Sequence, residues 1–111
     1  MKIVRNNIIP FKGYKAVNLF GILFVRGDSV IGSVDINHES IHTEQMKEML
    51  YVFFYLWYGI EWLVRLVQYR NAHTAYRNIG FEREAYMNQG SMGYLQGRGR
   101  YAWVKYLKNE L

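Results

Sequence analysis

The chain has 111 residues, half of them hydrophobic and 17% aromatic, which separates it from disordered and linker sequences and supplies enough bulk for one core. It contains no cysteine, so disulfides, thiolate-ligated metals, iron–sulfur clusters and thiol catalysis are excluded together. The net charge of +5 is unevenly spread: residues 1–27 hold five basic side chains and no acid, 28–61 hold six acids against Lys47, and 62–108 hold eight Lys or Arg against Glu82 and Glu84. The length predicts one domain over 1–111.

In chain order, residues 2–9 (KIVRNNII) and 16–26 (AVNLFGILFVR) read as strands, parted by a Pro10–Gly13 turn region and followed by a Gly27-Asp28 turn. Val30–Val34 offers a short third strand weakened by Gly32. Asp35 or Asn37 can cap a helix, and the sequence is helix-permissive from there to about Tyr69, with a break expected near Gly59. Asn71–Gly80 reads as a connection, Phe81 to about Gln89 as a short helix, Gly90–Gly93 as a turn, and Tyr94–Lys108 as a last helix weakened by Gly97 and Gly99. The predicted class is α+β: a small N-terminal antiparallel sheet, then a site-bearing helix and two to three further helices.

Residues 49–60 (MLYVFFYLWYGI) form a twelve-residue apolar block without a charge, which Glu61 and Arg65 then interrupt. It is shorter than the roughly 20 residues that span a bilayer. The N-terminus lacks an apolar stretch of signal-peptide length, which favours a cytoplasmic location. The aromatic run Tyr51–Trp62 reads first as a buried core helix; because the block is apolar on every side and a chain this small cannot bury such a helix completely, homo-oligomer or membrane-surface contact through helix 49–67 is the second reading.

Residues 38–42 read His-Glu-Ser-Ile-His. On a helix, positions i and i+4 share a face, so His38 and His42 can offer two imidazole nitrogens to one Zn²⁺ at about 2.0–2.1 Å. Glu39, at the edge of that face, is placed to move a proton as general base. This is the HExxH pattern of zinc metalloproteases. Shuffling the chain gives the pattern in about 0.3% of orders, so its context decides its meaning. Two of the three histidines are spent here, behind a helix cap. A third protein ligand is needed, and His73 and the segment Phe81–Tyr86 are the candidates. Glu82 and Glu84 point roughly 200° apart on a helix, so only one can face the histidines, and spacing alone does not choose.

At these residues the chain resembles the gluzincins, metallopeptidases with an HExxH helix and a Glu ligand on a later helix. In several of their branches the later motif is Glu-x-x-Ala followed by Asp; here Glu82-Arg83-Glu84-Ala85 matches, with Tyr86 in place of the Asp. The resemblance implies that Glu82 is the third ligand and that Ala85 is the small residue letting two helices approach. Glu84 is then solvent-facing or a support behind the ligands. The missing Asp leaves a ligand histidine without its usual orienting partner, and Gln45, three residues past His42, stands in position to replace it. The size is similar to that of the minimal, single-domain minigluzincins, whose strand ahead of the zinc helix forms the upper rim of a cleft where an extended peptide can add as a further strand. Residues 16–26 stand in the corresponding place.

The expectation is therefore a zinc-dependent metalloendopeptidase acting on a peptide or protein, with His38, His42 and Glu82 on the metal and Glu39 as general base. A zinc-binding interaction scaffold without turnover is the alternative. A basic nucleic-acid or membrane-surface binder is the outsider: no like-charge run and no nucleic-acid-reading motif is present, and Gly97-Arg98-Gly99-Arg100 is too short to make one.

Overall fold

The computed structural model describes residues 2–9, 15–27 and 29–108, and the Pro10–Gly13 turn and Asp28 lie outside them. Three strands, β1 (Lys2–Asn6), β2 (Ala16–Leu19) and β3 (Ile22–Arg26), precede the helices α1 (Ser33–Glu48), α2 (Val52–Tyr69), α3 (Ala72–Arg77), α4 (Gly80–Asn88) and α5 (Tyr94–Gly97) and a 3₁₀ segment, Ala102–Leu107. The class is α+β, as expected.

The sheet is mixed rather than purely antiparallel. Its order is β1-β3-β2, with β2 antiparallel to β3 and β1 parallel to it. The strand carrying fully buried Leu23 and Val25 takes the centre, where both of its edges are paired. Segment 16–26 is a hairpin, because Phe20 (φ 53°) and Gly21 (φ 87°) form a two-residue loop whose positive φ values match the twist of the flanking strands. Phe20 is an unusual residue there, and it is held from outside. Its N–H donates to the Tyr55 hydroxyl at 2.9 Å, and its ring lies 5.1 Å from that of Tyr55. Strand β1 stops at Asn6, whose Oδ1 accepts from the backbone N–H groups of Ile8 and Ile9.

The third strand expected at Val30–Val34 is absent, since α1 already starts at Ser33. Gly32 occupies the cap position and Asp35 reaches back to its N–H at 3.1 Å, while Asn37 lies inside the helix. The break in the long helix falls at Met49–Tyr51, not at Gly59. Leu50 and Tyr51 both take positive φ, and the helix axes turn by 108°. Gly59 stays helical on the exposed side of α2, where a Cβ would meet nothing. The turn instead falls where it lets Met46 of α1 and Phe54 of α2 join one cluster with Ile79, Phe81 and Trp103. The connection 71–80 contains α3, capped by Asn71 through Thr74 N–H, and the expected last helix is broken between Gly97 and Tyr101. Among the described residues no single helix is long and apolar enough to cross a membrane.

Candidate metal centre

Helix α1 carries His38 and His42 one turn apart toward α4, and α4 presents Glu82 in its first turn. The three are buried, and their donor atoms converge. His42 Nε2 lies 3.1 Å from His38 Nε2 and 3.0 Å from Glu82 Oε1, and His38 Nε2 lies 3.2 Å from the same oxygen. These separations approach the edge of a tetrahedron around a metal with bonds of about 2.0–2.1 Å, roughly 3.3 Å.

The supporting contacts fix what those atoms offer. Gln45 Nε2 donates to the Phe81 carbonyl and to Glu84 Oε1, both at 3.0 Å, so its amide oxygen is the atom that faces His42 Nδ1 at 2.7 Å. An amide oxygen only accepts. Nδ1 therefore carries the proton, and in neutral His42 the Nε2 presents a lone pair to the cluster. His38 Nδ1 lies 2.7 Å from Gln89 Oε1, a contact that suits the same tautomer. With both imidazoles neutral and protonated on Nδ1, their Nε2 lone pairs and a carboxylate oxygen meet without a donor between them, an arrangement that calls for a cation. His38, His42 and Glu82 form a group able to hold a metal ion.

Without a metal, a proton can answer part of that demand. Burial opposes charge on His42, but the Glu82 carboxylate and its hydrogen bond outweigh burial and push the imidazole up to about 9. Burial likewise raises Glu82, yet the charge of His42 and hydrogen bonds from His38, His42 and Tyr58 hold its carboxyl well below the usual range. The Tyr58 hydroxyl donates to Glu82 Oε2 at 2.6 Å, leaving Oε1 directed at the histidines. Tyr58 sits inside the aromatic run of α2 that sequence reading assigned to core, and no pattern in the sequence separates it from its neighbours.

Glu39 lines an open pocket of about 310 Å³ together with His38, His42, Glu82, Tyr58 and Tyr76. Burial raises the Glu39 carboxyl above its ordinary value, against the opposing pull of the two histidines. Residues Ala16–Asn18 of β2 form another wall of this pocket. β2 is an edge strand, and its register places the Ala16 and Asn18 backbone groups on the side away from β3: Lys15 accepts from Arg26, and orientation alternates from there. The Tyr55 hydroxyl donates to the Asn18 carbonyl at 3.1 Å and accepts from Phe20, which closes the edge at that end.

The two carboxylates on α4 part as their spacing requires. Glu84 is fully buried, which removes the solvent-facing option. It receives Gln45 Nε2, the Tyr94 hydroxyl and the Arg98 guanidinium. Arg98 in turn makes paired contacts of 3.0 and 3.1 Å to Glu48 at the end of α1. His42 is therefore steadied through Gln45 and Glu84 by an arginine that sequence reading placed in a weak basic Gly-rich motif. His73 is exposed on α3 and is no part of the cluster. Tyr86 packs edge-on against the His38 ring at 4.5 Å and shares a hydroxyl hydrogen bond with Tyr76.

The position of α4 is set from α2. Glu61 Oε2 accepts from the Gly80 N–H at 3.0 Å, binding a free amide at the start of α4, and Arg65 pairs with the same carboxylate at 3.1 Å. A Cβ at Gly80 would lie 2.6 Å from a Leu107 methyl, so any larger residue there would have to displace that side chain. Ala85, fully buried, lies three residues beyond Glu82 on the same side of α4.

Comparison of the chain with protein-family models, with curated proteins and with solved structures finds no match.

Proposed function

We propose that the chain is a zinc-dependent peptidase of gluzincin type. The observation that carries this reading is the convergence of His38 Nε2, His42 Nε2 and Glu82 Oε1 beside Glu39 in an open pocket. Two imidazoles and a carboxylate are a catalytic zinc set, three protein ligands that leave a position open. When bound there, zinc supplies Lewis acidity, polarising a carbonyl and acidifying water.

The chain's own residues do the remaining work. An extended peptide pairs with the outward backbone groups of Ala16 and the Asn18 N–H, the Tyr55 hydroxyl on the Asn18 carbonyl setting the end of that ladder. This holds a scissile carbonyl against the wall that bears Glu39. Burial makes the Glu39 carboxylate a better base than an exposed one; it takes the proton of the water that adds to the scissile carbonyl and passes it to the amine as the C–N bond breaks, leaving a new carboxyl terminus. Tyr58 and Gln45 hold Glu82 and His42 in their directions throughout, as groups behind metal ligands commonly do.

The test pairs metal content with cleavage. Protein purified without chelator or affinity metal is expected to carry about one zinc per chain by mass spectrometry, reduced in His42→Ala and Glu82→Ala. Glu39→Gln is expected to keep the zinc and lose cleavage of a peptide library. Equal cleavage by that variant overturns the assignment of Glu39. One observation favours a second reading: all three ligands are less than a tenth exposed, as in a structural metal site. Stoichiometric zinc without cleavage of any peptide would select that scaffold reading.

A further inference from the structure

Helix α2 is built inside out with respect to charge. Its two charged residues, Glu61 and Arg65, are buried against each other and against α4, while its outward side carries Phe53, Leu56, Ile60, Leu63 and Val67, each more than half exposed. Val52, Trp57 and Val64 widen this stripe to an arc of about 140° at 100° per residue, running the length of an 18-residue helix. From their fractional exposures these eight side chains present on the order of 900 Å² of apolar surface, against roughly 300–600 Å² for the largest patch of an ordinary monomer. An apolar groove of about 260 Å³ lies beside the stripe, walled by Trp57, Ile60, Val64 and Leu107.

We propose that this face docks onto an anionic lipid bilayer, with α2 lying in the plane of the interface. Two observations choose a bilayer over a second copy of the chain. A two-helix seam uses a narrow line of residues flanked by charges that set partner and register. Here the line Phe53-Leu56-Ile60-Leu63-Val67 has that spacing, but its shoulders, Trp57 and Val64 on one side and Val52 on the other, are exposed and apolar. One partner helix would leave the shoulders in water, whereas the headgroup–acyl boundary takes the whole arc. The second observation is charge. Among the described residues from 62 to 108 the only carboxylates, Glu82 and Glu84, are buried, while Arg70, Arg77, Arg100, Lys105 and Lys108 are exposed. Arg70 closes α2 itself, and Lys105 and Lys108 belong to or adjoin the 3₁₀ segment whose Leu107 walls the groove. Cations at the end of the apolar arc and beside its groove, Arg70, Lys105 and Lys108, are the complement of an anionic membrane surface.

The inference does not depend on the metal, although the back of the same helix contributes Phe54, Tyr55 and Tyr58 to the pocket. Flotation of the full chain with vesicles of phosphatidylcholine containing about a third phosphatidylglycerol is expected to carry protein into the lipid fraction, with or without zinc. Pure phosphatidylcholine or raised salt is expected to lower binding severalfold. Leu56→Glu with Leu63→Glu, both on the exposed side, is expected to lower it at least about tenfold while the circular dichroism stays that of the wild type. Should that variant fold poorly, quenching of wild-type tryptophan emission by brominated lipid decides, and Trp57→Phe is expected to remove most of the quench. Absence of flotation in excess anionic lipid overturns the proposal. A concentration-dependent dimer seen by light scattering, without vesicle binding, overturns it in favour of a second copy.

Discussion

Glu82 and Glu84 stand two residues apart on one helix, both buried, and burial raises both carboxyls before their partners pull them down. Their surroundings answer the two charges differently. Glu84 meets a permanent cation, Arg98, with Tyr94 and Gln45 completing its hydrogen bonds. Glu82 meets one hydroxyl and two imidazoles, which carry no permanent charge and answer the carboxylate only when protonated. Glu84 carries its counter-ion in the chain, whereas Glu82 is completed only by a proton or a metal. A ligand site here is a buried carboxylate whose partners fall short of satisfying it, beside a twin that shows what satisfaction looks like.

The comparison breaks first if the satisfied side is broken. Arg98→Met strands both Glu84 and Glu48, and a loss of about 3–5 kcal/mol in urea unfolding is expected, the penalty for an unpaired buried charge. Next comes the unsatisfied side. Glu82→Gln is expected to weaken zinc binding by at least about a hundredfold in competition with a chelator, more than removal of a supporting residue does. It should leave the metal-free fold in place. Gln45→Met cuts the link between the two carboxylates; zinc affinity is expected to fall by about 10–100-fold, with stability changed less than in the arginine variant.

A further effect is one of pH. In the metal-free protein His42 is raised above its ordinary 6.5 to about 9, so the stability it contributes is complete below pH 6.5 and is lost as pH rises through about 9. Glu82 is depressed below its ordinary 4.5, so its contribution is present above that pH and fades as pH falls further. Thermal unfolding of the metal-free protein should therefore weaken from pH 6.5 toward 9. Zinc binds the deprotonated ligands and should remove or reverse that slope.

Much of the site was legible because its parts are local. The i, i+4 histidines share a helix face in any helical chain, Gln45 follows by one further step of three, and the opposed directions of Glu82 and Glu84 are fixed by helix geometry. The choice of Glu82 over Glu84, however, came from family resemblance and not from spacing. What stayed hidden depends on the path of the chain. Arg98 reaches Glu48 and Glu84 only because the segment after α4 folds back, and nothing around Gly97–Arg100 announces it. The fold was misread where a non-glycine residue takes positive φ: Phe20 splits an apparent strand, and Leu50 with Tyr51 ends α1 ahead of the glycine that was expected to do so. Local propensity disfavours each of these conformations, and long-range contacts such as that from Phe20 to Tyr55 sustain the first of them.

The two grips of α2 on α4, Tyr58 on the Glu82 carboxylate and Glu61 on the Gly80 amide, come from neighbouring positions on one helix. That arrangement makes α2 a camshaft. A roll of about 10° carries a side-chain tip some 6 Å from the axis through roughly 1 Å, enough to disturb the geometry of these hydrogen bonds. Whatever holds the outer surface of α2 thereby sets the aim of Glu82, so torque applied on one side of the helix is read as ligand geometry on the other.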